Sequence, residues 1–139
     1  MSAGYLLDAN VLSEPLRHSP NPGVMARLVR HEREIATAAP VWHELVFGAR
    51  RLPPSRKRRA IERYLDQVVR ATLPILPYDA AAAAWHAAER ARLVARGRTP
   101  PFVDGQIAAI ARTNDLVLVS ANLADFREFA GVQIEDWRS

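Results

Sequence analysis

The sequence has 139 residues and no cysteine, and its 19 Lys plus Arg against 15 Asp plus Glu give a formal charge of +4. This length predicts one domain over residues 1–139, without disulfides, a thiolate nucleophile or a sulfur-ligated zinc site. No apolar run approaches the roughly 18 residues that span a bilayer, and Met1-Ser2-Ala3 lack the features of a signal peptide, which predicts a cytoplasmic protein without membrane contact.

The first predicted strand ends on an acid. Residues 5–7 form a short apolar run, and Asp8 follows where a helical pattern begins. Ligands of open α/β sheets gather beyond the carboxyl ends of the strands, so this position suits a catalytic acid. It equally suits an ordinary N-cap, because an Asp side chain satisfies free backbone N–H groups. Taken alone, Asp8 favours the capping interpretation, and the acids later in the chain change that balance.

Helices and strands alternate after this point. The pattern predicts a short helix over 10–16, a helix over 21–33, a strand over 34–38 and a helix over 40–48. The inward face of the helix over 21–33 is predicted to carry Val24, Met25, Leu28 and Val29. Glu44 lies just past the start of its helix, at the same sheet edge as Asp8. A zinc-protease motif is excluded, because Phe47 stands where the second histidine after His43 is needed.

Residues 56–70 have the clearest amphipathic pattern. A single buried stripe is predicted for Ile61, Tyr64, Leu65, Val68 and Val69. Basic residues crowd the start of this helix and the turn before it: Arg50, Arg51, Arg56, Lys57, Arg58 and Arg59. An anion relieves the repulsion between such neighbours, which favours an RNA-contacting patch, and a solvated basic face is the alternative.

The last part of the chain repeats the alternation. A strand over 71–76 contains Pro74, which is compatible with an edge position or with a parallel pairing that has irregular ends. A long helix between the Asp79 cap and Gly97 follows. Asp104 begins a helix over 105–112, a buried strand is predicted over 116–119, and a short strand over 132–134. Alternating strands and helices predict a parallel sheet covered on both faces.

Four acids therefore follow strand tips or begin helices: Asp8, Glu44, Asp104 and Asp125. A parallel sheet brings such positions to one edge, where the carboxylates repel each other unless a cation neutralises them. Mg²⁺ and Mn²⁺ prefer oxygen ligands, so the set predicts a divalent metal site. Taken one at a time, each acid can also be explained as a residue that caps the N-terminus of a helix.

Four segments, in this order and spacing, resemble the PIN-domain family and within it the VapC- or FitB-type toxin ribonucleases: residues 6–14, the helix around Glu44, residues 104–111 and residues 118–126. The resemblance implies a three-layer α/β/α domain with a central, mainly parallel sheet of four to five strands. It makes Asp8, Glu44 and Asp104 metal-binding catalytic acids, with Asp125 as a fourth member. Supporting polar positions are Asn10, Ser120 and Asn122.

The same resemblance implies Mg²⁺- or Mn²⁺-dependent hydrolysis of RNA, a homodimer, and a cognate antitoxin that covers the acidic site. One residue departs from the family pattern, since Ala9 replaces the Thr or Ser that usually follows the first acid. The missing hydroxyl bears on the orientation of water near the metal.

Three other functions were compared with this one. A haloacid-dehalogenase-like phosphatase needs a second Asp two residues after the first, where Asn10 stands, and a receiver domain needs a late lysine, whereas Lys57 is the only lysine. A catalytically silent RNA- or antitoxin-binding module stays open. It predicts that Asp104→Asn changes no activity.

Overall fold

A five-stranded parallel sheet forms the centre of the computed structural model, which describes residues 4–138. The strands are β1 (Tyr5–Leu7), β2 (Ile35–Ala38), β3 (Ile75–Leu76), β4 (Val117–Val119) and β5 (Ile134–Glu135). Their order is β3-β2-β1-β4-β5, and every neighbouring pair is parallel. The predicted sheet is confirmed, with β3 at its edge. Residues 1–3, which entered the signal-peptide argument, lie outside the described residues.

The winding of the sheet reverses next to β1. The chain proceeds outward from β1 to β2 and β3, and then returns to the other side of β1 to form β4 and β5. Right-handed crossovers place the helices of these two halves on opposite faces, which gives the predicted three-layer α/β/α domain. The carboxyl ends of β1 and β4 thus border the crevice in which ligands of such sheets bind.

The helices are α1 (Ala9–Leu12), α2 (Pro22–Arg30), α3 (Ala39–Arg50), α4 (Arg56–Tyr64), α5 (Ala80–Ala95), α6 (Phe102–Thr113) and α7 (Leu123–Phe126). A 3₁₀ turn, Glu14–Leu16, follows α1, and a π-helical segment, Leu65–Arg70, continues α4. The predicted N-caps are confirmed, because Asn21 accepts from the Val24 N–H and Asp79 accepts from the Ala82 N–H.

Several predicted boundaries are wrong. The helix over 21–33 ends at Arg30, and the strand over 71–76 is reduced to β3, because residues 71–72 continue the helical backbone. The helix that contains Asp104 begins at Phe102, directly after Pro101, so Asp104 is its third residue. The last strand is Ile134–Glu135 rather than 132–134.

The core lies between the sheet and its helices, but two predicted members are not in it. Val29 is 70% exposed and Val68 is 46% exposed. In the stripe predicted for residues 56–70, only Leu65 and Val69 are fully buried. The π-helical segment explains this difference, because i→i+5 hydrogen bonding changes the angular spacing that a 3.6-residue period assumes.

Within the part of the chain that the structure describes, no helix combines the length and apolarity required to cross a membrane.

Candidate active site

Asp8 lies at the tip of β1, in the crevice where the winding of the sheet reverses. Its side chain is 7% exposed and is held at both oxygens. Oδ1 accepts a hydrogen bond from the Ala9 N–H at 2.8 Å, and Oδ2 accepts one from the Ser120 hydroxyl at 2.8 Å. Asp8 is therefore the N-cap of α1 and is also fixed from the neighbouring strand.

The segment after β4 supports Asp8. The Ser120 hydroxyl, fully buried, also accepts from the Asn122 N–H at 3.0 Å, and Asn10 Oδ1 accepts from the Ala121 N–H at 3.1 Å. Of the three predicted supporting residues, Asn10 and Ser120 thus act through their side chains, whereas Asn122 contributes its main-chain N–H. These bonds tie the loop after β1 to the loop after β4.

Glu44 and Asp104 are carried by helices and come near Asp8 from the other layers. Burial raises the pKa of the Glu44 carboxyl, and the Asp8 charge adds to the rise, while His43 opposes it. The pKa of Asp104 is raised to about 6, mainly by burial and then by the charges of Asp125, Asp8 and Glu44. The Asp104 carboxyl therefore interacts electrostatically with all three other predicted acids.

Asp8 and Asp125 are also coupled. Burial raises the pKa of Asp8, the bonds from Ser120 and Ala9 oppose the rise, and the Asp125 charge adds to it. Asp125 itself lies exposed on α7. The fold thus brings the four predicted acids into one cluster of interacting charges at the β1/β4 crevice.

Comparison with known proteins places this arrangement in a family. The family model of the PIN domain matches residues 5–132, nearly the whole chain. The chain belongs to the PIN domain family. The resemblance inferred from the four sequence segments is confirmed.

Curated relatives and solved structures agree with this assignment. The PIN domain is 29% identical to the tRNA(fMet)-specific endonuclease VapC of Shigella flexneri over 134 residues, which cover 96% of this chain and 97% of the relative. It is 34% identical to Toxin FitB of Neisseria gonorrhoeae over 127 residues, covering 87% and 89% of the two chains. FitAcB from Neisseria gonorrhoeae superposes with a TM-score of 0.85 at 32% identity, over 94% of this chain and 95% of that one. DNA-bound VapBC from Salmonella typhimurium gives 0.83 at 25% identity, over 97% and 98%.

The acidic cluster of this PIN domain has the chemistry that a hard divalent cation requires. All four candidate ligands are carboxylates, and within residues 4–138 none of them is paired with an arginine or lysine. In the same span, no three acidic or histidine side chains converge around one point. Carboxylate oxygens are the ligands that Mg²⁺ prefers, and the side chains would have to turn toward an ion to hold it together.

The predicted basic residues differ in whether their side chains contact a partner within the protein. Glu62 lies 3.6 Å from Arg50 and 3.4 Å from Arg58, and Arg58 also donates to the Leu52 carbonyl at 2.9 Å. The Arg51 guanidinium lies 6.0 Å from the centre of the Phe47 ring. Arg56, Lys57 and Arg59 are exposed. Arg58 thus stabilises the turn before α4, whereas Arg56, Lys57 and Arg59 are accessible to a polyanion, as is the 71% exposed Arg50.

Sequence reasoning missed a contact behind Asp104. His86 of α5 is 3% exposed, and its Nδ1 is hydrogen-bonded to the Tyr78 hydroxyl at 2.8 Å. A Cβ on Gly105 would lie 2.1 Å from His86 Nε2, so the imidazole fits against the first turn of α6 only because residue 105 has no side chain. The glycine directly after Asp104 was the one sequence signal for this contact.

Proposed function

We propose that this PIN domain is a Mg²⁺- or Mn²⁺-dependent endoribonuclease that hydrolyses RNA phosphodiester bonds and acts as the toxin of a toxin–antitoxin pair. The observation that carries the proposal is the cluster of four interacting carboxylates at the β1/β4 crevice, without an arginine or lysine partner among residues 4–138. Relatives named endonuclease and ribonuclease support it.

The strand-borne and helix-borne acids have different tasks. Asp8, fixed by Ser120 and the Ala9 N–H, offers its remaining lone pairs at a constant position. Glu44 and Asp104 complete the ligand set, and one of them accepts a proton from the attacking water. When bound, Mg²⁺ or Mn²⁺ supplies charge stabilisation at the phosphate and lowers the pKa of water. Asp125 adds negative charge that favours the cation.

The exposed basic residues attract the RNA backbone in this proposal. Arg56, Lys57 and Arg59 extend into solvent at the start of α4, with Arg50 and Arg51 at the end of α3. Contacts of this kind release counterions from RNA, so binding weakens as salt concentration rises.

A second surface suits the antitoxin. An apolar groove of about 530 Å³ lies between α2 and the π-helical segment, and the exposed Val29 and Val68 belong to its wall. Relatives were solved as FitAB and VapBC assemblies bound to DNA. We propose that the groove takes an amphipathic segment of the antitoxin, whose continuation reaches the acids. Val68→Asp is then expected to lose co-purification with the product of the adjacent open reading frame while RNA cleavage persists, and Val94→Asp on α5 is the matched control.

The proposal also includes a homodimer in the cytoplasm, where RNA and the antitoxin are both present. Sedimentation equilibrium of the purified chain measures the oligomeric state, and a monomer across micromolar concentrations would contradict the dimer.

Cleavage of total cellular RNA tests the central proposal. Purified protein is incubated with Mg²⁺, with Mn²⁺ or with EDTA, beside Asp104→Asn and the exposed control Asp115→Asn. With either metal, the wild type and Asp115→Asn are expected to give discrete fragments. Asp104→Asn is expected to give none, and no protein is expected to cleave in EDTA. Removing one metal ligand is expected to cost about 10³-fold, which corresponds to several kcal/mol of transition-state stabilisation.

Calorimetric titration with Mn²⁺ separates the nuclease from a silent binding module. The nuclease binds Mn²⁺, and Asp104→Asn weakens that binding with folding retained. Folded wild-type protein that neither cleaves RNA nor binds Mn²⁺ would leave the silent module as the function.

A further inference from the structure

A cleft of about 470 Å³ opens directly beside the acidic cluster. Six of its lining side chains bear on what it can bind: His43, Glu44, Phe47, Tyr78, Val103 and Gln106. Glu44 belongs both to the acidic cluster and to the wall of the cleft. A molecule bound at the acids therefore continues into this cleft without crossing other surface.

The α3 wall of the cleft is an exposed aromatic column. Phe47 is 58% exposed, although it is one of the largest apolar side chains. The His43 ring lies almost parallel to it, with centroids 6.2 Å apart and planes at 12°, and the Arg51 guanidinium lies over the same ring at 6.0 Å. These residues are spaced four apart, so they share one face of α3. The imidazole, the phenyl ring and the guanidinium thus form one exposed surface that combines aromatic and cationic groups.

The opposite side of the cleft offers a fixed aromatic ring and a polar group. Tyr78 is half-buried, and its hydroxyl is bonded to the buried His86, which holds the ring in place. Gln106, two residues after Asp104 on α6, has an amide that both donates and accepts hydrogen bonds. The cleft can therefore stack a flat heterocycle and read its polar edge.

Single-stranded RNA is recognised in this manner. Proteins stack unpaired bases on aromatic or guanidinium planes and bond to their edges. A strand whose scissile phosphate lies at the acids must place an adjoining nucleotide on the neighbouring surface, and the cleft volume lies in the usual range for small-ligand sites. Its aromatic walls and its continuity with Glu44 select a nucleobase over a purely apolar group.

We infer that this cleft binds one unpaired nucleobase next to the scissile phosphate and that Phe47 is its main stacking surface. The inference rests on the proposed ribonuclease function and specifies how the substrate is chosen. Cleavage is thus confined to single-stranded segments, and base preference beside the cut site depends on the cleft.

Cleavage kinetics on a short unstructured oligoribonucleotide test the inference. Phe47→Ala is expected to raise KM about tenfold with kcat changed less than threefold, because stacking on one base contributes about 5- to 150-fold in binding. Phe47→Trp keeps a stacking plane and is expected to retain the wild-type KM. Val94→Ala, which shortens an exposed valine on α5, is the control for loss of apolar surface.

A binding measurement makes the result independent of turnover. An oligoribonucleotide with 2-aminopurine beside the cut site is titrated into Asp104→Asn in the presence of Mg²⁺. Stacking quenches its fluorescence, and the quenching is expected to disappear in Phe47→Ala/Asp104→Asn and to persist in Val94→Ala/Asp104→Asn.

The outcomes separate this inference from the function on which it rests. No metal-dependent cleavage by the wild type would overturn both. Cleavage by the wild type with unchanged KM, unchanged cut sites and unchanged quenching for Phe47→Ala would overturn the base site alone. A change in the sedimentation of Phe47→Ala would also overturn it, because the cleft face would then be an interface between two copies of this chain.

Discussion

The acids of the candidate site are held in two different ways. Asp8, at the end of a strand, is buried and bonded at both carboxylate oxygens. Glu44 and Asp104, on helices, form no hydrogen bond or ion pair among residues 4–138, and burial, together with the neighbouring acidic charges, raises the pKa of each. One acid is thus fixed by the protein, whereas the other two are left for a ligand to fix.

This difference determines how freely each carboxylate can turn. Asp8 cannot rotate without breaking two hydrogen bonds, but the helix-borne side chains can turn toward a cation once their repulsion is neutralised. The sheet therefore sets the location of the site, and the cation is expected to complete its geometry.

Among the residues that support the acids, the largest effect is expected from removing the anchor of Asp8. Ser120→Ala takes away the donor to Oδ2, and loss of such a supporting bond commonly costs 10- to 100-fold in metal affinity or activity. We expect a loss of this size in Mn²⁺ affinity by calorimetry and in kcat/KM for RNA. Thr113→Ala removes a hydroxyl that bonds only within its own helix and is the control. Wild-type affinity in Ser120→Ala would mean that Asp8 needs no anchor.

The helix-borne acid is expected to depend on packing rather than on a hydrogen bond. Gly105→Ala places a methyl group against the buried His86 ring and is expected to lower the free energy of unfolding by about 1–3 kcal/mol, measured in urea, and to weaken Mn²⁺ binding. Combining it with His86→Ala removes the clash, so the double variant should recover part of both losses. If the effects of Gly105→Ala and His86→Ala were strictly additive, the contact between the His86 ring and residue 105 would not determine the position of Asp104.

Stability against pH tests the combined effect of burial and charge repulsion on Asp104. Without metal, the pKa of Asp104 is about 6 instead of 3.8, so on raising the pH the unfolded chain releases this proton first, and native stability falls between about pH 4 and pH 6. Asp104→Asn lacks that loss. It is expected to exceed the wild type by about 1 kcal/mol at pH 8, allowing for solvent screening, and to match it near pH 4. Asp115→Asn, at a side chain 93% exposed, is the control, and an equal difference at both pH values would contradict the assignment.

The smallest effect is expected beside Asp8. Ala9→Thr restores a hydroxyl at the first residue of α1, where it can bond to water near the acids. One hydrogen bond of this kind suggests about a threefold gain in Mn²⁺ affinity or kcat/KM. Ala9→Val has a similar shape without the hydroxyl, and an equal gain in that variant would assign the effect to packing.

Much of this fold and of the candidate site was predictable from local patterns. Short apolar runs ending in Asp8 and Ser120 identified two strand tips, and the alternation of strands and helices implied that these tips share one edge. Parallel strands are joined by crossover connections, so their carboxyl ends lie at the same edge of the sheet. Residues that follow these strands could therefore be predicted to lie close together, although they are distant in sequence.

The remaining features depend on tertiary contacts that no local pattern encodes. Val68 is exposed in a π-helical segment, and the pairing of Glu62 with Arg50 follows from how α3 packs on α4. The bond from Ser120 to Asp8 joins residues separated by 112 positions. His86 was overlooked because it packs against Gly105, and a residue without a side chain gives little sign of a contact.

The central place of β1 makes the candidate site depend on a pairing between distant parts of the chain. β1 needs β4 as a neighbour, and β4 begins only at Val117. Until the two strands pair, one edge of β1 is open and Asp8 has no Ser120 to hold it. Pairing between residues so far apart in sequence is slow. The anchor of Asp8 therefore forms only when the two halves of the sheet come together.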